Sequence, residues 1–202
     1  MVSYEELVKT IIINKKNRLV SYDHSLKLVG KGRSAFVFKI KTSNVAIKVF
    51  FPAFTFIAKE EASIYQTLKG ISYFPTLYDS GSNYIVLDFI KGLTLFEYIT
   101  NGKIITSAHI KEIDHAISLA RNLGLNPSDI HLRNIFITNN NEIRLIDVAR
   151  FRQEKECRQW ENLKKAYYQL YRKYYFFKKI PALFLNITGA LYNKGLIPFY
   201  PR

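Results

Sequence analysis

Cys157 is the chain's only cysteine, so no internal disulfide can form. The four histidines, His24, His109, His115 and His131, are scattered, and with one cysteine they argue against a structural zinc site. No continuous apolar run reaches the roughly 18 residues that a membrane-spanning helix needs, so none is expected. The opening residues, MVSYEELVKT, carry acids where a signal peptide needs a basic flank and an apolar stretch, and a cytoplasmic protein is expected. Internal repeats and Gly/Ser- or Pro-rich linkers are also missing. Acids are scarce: 16 Asp and Glu face 30 Lys and Arg, a net charge of +14. The excess is concentrated late, with 12 Lys/Arg against 3 Asp/Glu in residues 150–202, or +9. Such a bias favours an anionic partner (nucleic acid, acidic protein, membrane surface or phosphate), although a merely well-solvated basic surface would look the same. No familiar nucleic-acid-binding module is visible.

What is present is a foldable chain. Its 202 residues are 48% hydrophobic, enough for one domain or two small lobes sharing a cleft. Ser3-Tyr4-Glu5-Glu6 fits a capping box and predicts a short opening helix. Residues 26–50, LKLVGKGRSAFVFKIKTSNVAIKVF, alternate apolar and β-branched residues around the turn signals GKG and TSN, which predicts antiparallel strands joined by hairpins. Residues 55–69 place Ile57, Ile64 and Leu68 at helical spacing before Gly70, and FPTLYDSGSNYIVLDF reads as two further strands. In the second half Ser107 is a candidate cap for a helix whose stripe is Ile110, Ile113, Ile117, Ala120 and Leu123, ending at Gly124. IFIT and IRLID predict short strands around an NNNE turn. A helical pattern over about 155–177 puts Leu163, Tyr167, Leu170, Tyr174 and Phe177 on one face. Strands plus one helix, then mostly helices, predict an α+β fold with an N-terminal sheet lobe over 1–90 and a helical lobe over 91–202.

Certain side chains carry chemistry. Gly30-Lys31-Gly32 at a strand turn would let backbone N–H groups approach a polyphosphate without Cβ interference, though a GxG hairpin alone is common. Lys48, in Val45-Ala46-Ile47-Lys48, has apolar neighbours, so its stem can line a cleft while its ammonium reaches phosphate. A lysine held charged in a cleft needs a carboxylate, and the following helix offers Glu60 and Glu61. Glu61 is chosen because Ile64 and Leu68 then face the sheet. In the loop NPSDIHLRNIF, Asp129 precedes Asn134 by five positions, and Asp147 closes the strand IRLID. Taken singly each is as easily a cap, a turn residue or a strand end. Together, an Asp to accept a hydroxyl proton plus an Asn and an Asp to hold Mg²⁺ form a minimal set for phosphoryl transfer.

These elements, over roughly residues 26–151, resemble the protein-kinase superfamily. GKGRSAFV resembles its nucleotide loop, with Ala35 at the third glycine, and VAIK stands as written. The resemblance implies an ATP site formed by Gly30, Lys31, Gly32, Val37, Ala46 and Lys48. It implies a hinge in which Leu87 lies near the gatekeeper position and Asp88, Phe89 and Ile90 offer backbone groups to adenine. It also implies a Lys48–Glu61 pair, Asp129 as catalytic base, and Asn134 and Asp147 as Mg²⁺ ligands. Departures are informative. Pro127-Ser128-Asp129 replaces His-Arg-Asp, so the arginine that answers a phosphorylated activation loop is missing. Asp147-Val148-Ala149 replaces Asp-Phe-Gly, no Ala-Pro-Glu motif follows, and 55 residues after Asp147 are too few for a full helical lobe. The plan is similar to compact atypical kinases, RIO-type and small bacterial serine/threonine kinase-like proteins. Asp129-Ile130-His131 resembles the Asp-x-His pattern of some sugar kinases, in which His131 would contact phosphate or substrate, although a loop-packing side chain is the preferred reading of His131.

Residues 164–179, KKAYYQLYRKYYFFKK, interleave aromatic and basic residues. A nucleic-acid or membrane surface is one reading. The other takes the Leu163-to-Phe177 stripe as core and leaves Tyr168, Tyr171, Arg172 and Tyr175 outside. The segment from Ala182 to Tyr192 is apolar enough for a buried or surface-lying helix. Three functions are carried forward: a serine/threonine protein kinase using ATP and Mg²⁺, a kinase for a sugar or other small molecule, and a catalytically weak pseudokinase that binds partners.

Overall fold

The computed structural model describes residues 3–196, and the chain splits into two compact units. One unit is Met1–Ile90 with Asp147–Ala149, and the other is Lys91–Ile146 with Arg150–Arg202.

The first unit opens with the capping box. Ser3 Oγ accepts from the Glu6 N–H at 3.2 Å, and Glu6 Oε2 accepts from the Ser3 N–H at 2.8 Å. Helix α1 (Tyr4–Lys9) follows, then a small hairpin of β1 (Ile12–Ile13) and β2 (Leu19–Ser21). Strands β3 (Leu26–Lys31), β4 (Ala35–Ile40) and β5 (Val45–Phe50) turn at the GKG and TSN signals. Helix α2 (Thr55–Thr67) and strands β6 (Leu77–Ser80) and β7 (Tyr84–Asp88) complete an antiparallel sheet of order β3-β4-β5-β7-β6.

Register assigns each side chain a face. Phe38, Ile47 and Val86 are cross-strand partners and are wholly buried, packed with Leu7 and Val8 of α1. Burying each such side chain stabilises the fold by roughly 2 kcal/mol. One residue along, Val37, Lys48 and Ile85 are partners on the opposite face, as are Ala46 and Leu87. Helix α2 packs against β5, β6 and β7, burying Ala58, Glu61, Ala62 and Tyr65 at helical spacing together with Ile64 and Leu68.

The second unit begins with β8 (Gly92–Thr94) and α3 (Leu95–Thr100), which the Thr94–Glu97 capping box starts. Helix α4 (Ser107–Asn122) leads through the 123–134 loop to β9 (Ile135–Thr138) and β10 (Ile143–Leu145), giving a sheet of order β10-β9-β8. The α4 stripe buries Ile110, Ile113, Ile117 and Ala120, whereas Leu123 is exposed beyond the helix end. The cap is Thr106 rather than Ser107: its hydroxyl accepts from the His109 N–H, and His109 Nδ1 accepts from the Thr106 N–H at 3.2 Å. His109 is therefore a buried capping residue of this helix, tied also to Asn141 Oδ1 at 2.9 Å.

The expected long helix over 155–177 is not formed. Helix α5 (Gln159–Ala166) passes into a single π turn, Tyr167–Tyr171, closed by the Arg172 N–H on the Tyr167 carbonyl at 2.8 Å. The wider turn swings Leu170, three after Tyr167, off the inner face and leaves Tyr171, four after it, in place, so Tyr167 and Tyr171 are the buried pair. Tyr171, expected outside, accepts from the Ile105 N–H and donates to the Lys103 carbonyl. Leu170, Tyr174 and Phe177, expected in the core, are exposed. The last helix, α6 (Ala182–Asn193), is also exposed along most of its length. No helix among the described residues is long and apolar enough to cross a membrane.

Candidate active site

Strand β5 and helix α2 hold the central ion pair of the first unit. Lys48 Nζ lies 2.9 and 2.7 Å from the two carboxylate oxygens of Glu61, and 2.8 Å from Asp147 Oδ1. Glu61 is fully buried, whereas its neighbour Glu60 is exposed. Helical spacing decides between them: Glu61 shares the stripe of Ala58, Ala62 and Tyr65, and Glu60 does not. Tyr65, one turn on, accepts the Asp147 N–H on its hydroxyl at 3.2 Å and so fixes the backbone that presents the second carboxylate.

Burial pulls the Lys48 ammonium towards its neutral form, but the charges and hydrogen bonds of Glu61 and Asp147 outweigh it and hold the pKa above the ordinary lysine value. Burial pushes the Glu61 carboxyl up, Lys48 pulls it back, Asp147 pushes it again, and the result is about 7. One ammonium serving two carboxyl groups leaves surplus negative charge. The carboxylate that carries this surplus to the surface is Asp147, whose side chain is 46% exposed. A partly exposed carboxylate oxygen with that surplus suits a hard divalent cation.

Gly30, Val37, Ala46 and Leu87 share the Lys48 face. Gly30 is paired with Val37, Val37 with Lys48, and Ala46 with Leu87. A Cβ added at Gly30 would meet nothing nearer than 3.5 Å, and one at Gly32 nothing nearer than 3.7 Å. The protein's own packing therefore does not demand glycine at either position, which fits a requirement set by an outside group approaching the backbone. Lys31 is not on this face; its ammonium lies 5.6 Å from the Phe36 ring centre on the other side. At the end of β7, the Asp88 N–H donates to the Thr76 carbonyl and the Phe89 N–H to the Asn44 carbonyl. The Asp88 carboxylate accepts from Thr76 N–H and the Tyr78 hydroxyl.

The second unit carries Asp129 and Asn134. Asp129 sits at φ 61, in the left-handed region that non-glycine residues seldom occupy, and Asp147 in the first unit shares this trait at φ 60. The surrounding loop is pinned: Ser128 is fully buried with its hydroxyl on the Asn126 carbonyl at 2.9 Å, Ile130 is buried, and the Asn126 N–H donates to the Phe151 carbonyl. The Asn134 amide donates to the Asp129 carbonyl at 3.1 Å, which leaves its side-chain oxygen as a hard donor atom. Two basic groups flank the Asp129 carboxylate, His131 Nε2 at 3.9 Å from one oxygen and Arg150 Nε at 3.7 Å from the other. Among the described residues no group of three or more His, Cys, Asp or Glu is placed to hold a metal, so a cation site would rest on Asp and Asn oxygens.

Reading the sequence missed Tyr65 and Arg150. Tyr65 had a signal, its position four after Glu61. Arg150 had none, since its proximity to Asp129 depends on the fold.

A five-stranded sheet with a buried Lys–Glu pair and a separate pinned Asp–Asn loop define a kinase-like α+β protein. No family model matches the chain. Over 195 residues it is 44% identical to the "Putative serine/threonine-protein kinase YrzF" of Bacillus subtilis (strain 168), a match covering 94% of this chain and 91% of that protein. The chain belongs to the family of that kinase-like protein.

Proposed function

We propose that the protein is an ATP-dependent phosphotransferase acting on a hydroxyl group, a serine/threonine protein kinase of the compact atypical, RIO-like type that works in the cytoplasm. The observation that carries this reading is the Lys48 ammonium held against Glu61 at 2.7 Å and Asp147 at 2.8 Å. A charged lysine aimed by a buried carboxylate suits the α- and β-phosphates of a nucleotide. We read residues 1–90 as the nucleotide lobe and 91–202 as the acceptor lobe.

Gly30 and Gly32 admit phosphate to the backbone, and Val37, Ala46 and Leu87 supply an apolar surface for the base. The N–H groups of Asp88 and Phe89 are committed within the unit, so the adenine edge falls to the Asp88 carbonyl and the Ile90 N–H. Asp147 and Asn134 are the residues that would hold Mg²⁺, which supplies charge neutralisation to the phosphates. Asp129 orients the acceptor hydroxyl. The acceptor oxygen bonds to the γ-phosphorus as the bond to the bridging oxygen breaks, the hydroxyl proton passes to Asp129, and ADP leaves.

One observation favours a small-molecule acceptor as the second reading. His131 and Arg150 flank the Asp129 carboxylate and would suit an anionic substrate. The test is transfer of labelled γ-phosphate from Mg-ATP to the protein itself and to a generic basic protein, with Asp129→Asn and Asp147→Asn alongside. Signal in the wild type and its loss in both variants is expected. Thermal stabilisation by Mg-ATP without transfer would favour the small-molecule acceptor. Neither transfer nor stabilisation would overturn the reading and leave a partner-binding pseudokinase.

A further inference from the structure

The sequence from Asn162 onward contains no Asp or Glu against eight Lys and Arg. Within it lies α6, Ala182–Asn193, twelve residues without one charge. An uncharged apolar helix ordinarily buries itself. Here Leu183 is 67% exposed, Phe184 65% and Ile187 48%. At 100° per residue these three fall on one side of the helix, and Leu185 and Tyr192 fall on the opposite side. The inner side is tethered: the Tyr192 hydroxyl accepts from Asn162 Nδ2 at 2.8 Å. The Asn186 amide oxygen accepts from Arg133 Nη2 at 3.0 Å, and the Ile180 N–H donates to the Ile99 carbonyl at 3.3 Å. The preceding segment adds Tyr174 at 94% exposure and Phe177 at 81%. Exposed Arg172, Lys173 and Lys179 precede the helix, and Lys194 follows it.

We propose that α6 and the Tyr174–Lys179 segment form a docking surface for an anionic lipid bilayer, with α6 lying in the plane of the headgroups. At twelve residues the helix is about 18 Å long, short of the roughly 30 Å hydrocarbon core, so it lies on the membrane and does not cross it. The outer stripe of Leu183, Phe184 and Ile187 enters the acyl boundary, the tyrosines sit at headgroup level, and the flanking cations meet lipid phosphate. Charge complementarity selects this occupant. A second copy of this acid-free basic segment would repel the first, and a neutral apolar partner would leave the cations unanswered. An anionic bilayer answers both the stripe and the charge.

The experiment is co-sedimentation of the full chain with vesicles of phosphatidylcholine alone and of phosphatidylcholine mixed with phosphatidylglycerol, without nucleotide. Binding to the mixed vesicles alone, weakened by salt, is expected. Phe184→Asp should lower the partition about ten-fold or more. Lys173→Gln combined with Lys179→Gln should lower it by a similar factor. Both sites are exposed, so melting temperatures should stay at the wild-type value. Binding that responds to the lysines but not to Phe184→Asp would be adsorption of a basic protein and would overturn the proposal. So would equal binding to both vesicles, no binding to either, displacement of vesicles by single-stranded RNA, or a dimer in solution that Phe184→Asp dissolves.

Discussion

Lys48 on β5 and Glu61 on α2 make a two-pronged ion pair, at 2.9 and 2.7 Å, in which the carboxylate is fully buried. Such a pair is costly to build and costlier to break from one side, because the remaining partner is left buried without its counter-charge. Lys48→Met should therefore reduce transfer about a hundredfold or more. It should also lower stability by about 3 kcal/mol, read as the shift in a urea unfolding curve. Unchanged transfer would remove Lys48 from the nucleotide site. Unchanged stability would mean that Glu61 finds another partner.

Glu61 also ties stability to pH. Its carboxyl stands at about 7 against an ordinary 4.5, with burial as the largest cause. A group with a higher pKa folded than unfolded binds its proton more tightly in the native state. Its stabilising contribution is complete below 4.5 and is lost as pH rises through about 7. The melting temperature of the wild type, measured against Glu61→Gln, should fall between those two values and then level off. A difference that stays flat, or that rises with pH, would refute this assignment.

Asp129 and Asp147 stand at φ 61 and φ 60, and such strain in a non-glycine residue persists where surrounding structure imposes it. Asparagine tolerates the left-handed region nearly as well as aspartate, whereas alanine does not. Asp129→Asn and Asp147→Asn should keep the wild-type melting temperature while transfer falls about a hundredfold or more. Asp129→Ala should lose activity to the same degree and cost about 1 kcal/mol of stability as well. Equal melting of the Asn and Ala variants would show that the strain is not borne in solution.

Much of this site was legible because its signals are local. Alternation over residues 26–50 with two turn signals gave three strands, and the period of α2 separated Glu61 from Glu60. Signals that depend on a third partner were not legible. Tyr65 reaches Asp147 across 82 residues of sequence, and Arg150 meets Asp129 only after folding. Strand β8 is three residues long, too short for alternation to register. The tail failed for a different reason. A period of 3.6 through Phe177 predicts Leu170, Tyr174 and Phe177 inside, but the chain leaves that period at Tyr167, where a π turn changes the phase and keeps Tyr171 rather than Leu170 beside Tyr167.

Ser128 occupies the position where an arginine would answer a phosphorylated loop. Its side chain is fully buried, with the hydroxyl on the Asn126 carbonyl. Ser128→Arg should therefore fail to install a phosphorylation switch for a steric reason. A guanidinium has no room at this fully buried position, and the loss of stability should be about 3 kcal/mol or more. A soluble Ser128→Arg protein with native melting would show that the loop can turn this side chain outward.

Gly92 links the small sheet to the Asp129 loop. A Cβ at this position would lie 2.3 Å from the Ile137 carbonyl oxygen and 2.7 Å from the Thr138 Cα, so backbone has to move. Gly92 pairs with Thr138 in β9, and β9 begins one residue after Asn134. Gly92→Ala should cost about 1–3 kcal/mol by overpacking. It should also speed amide exchange along β8 and β9 and lower transfer, with no matching change around Lys48 and Glu61. Amide exchange in β5 would stay protected, because that strand belongs to the first unit. Native-like exchange in β8 and β9 would mean that the strand pair absorbs the extra methyl, and the proposed dependence of Asn134 on this close approach would fall.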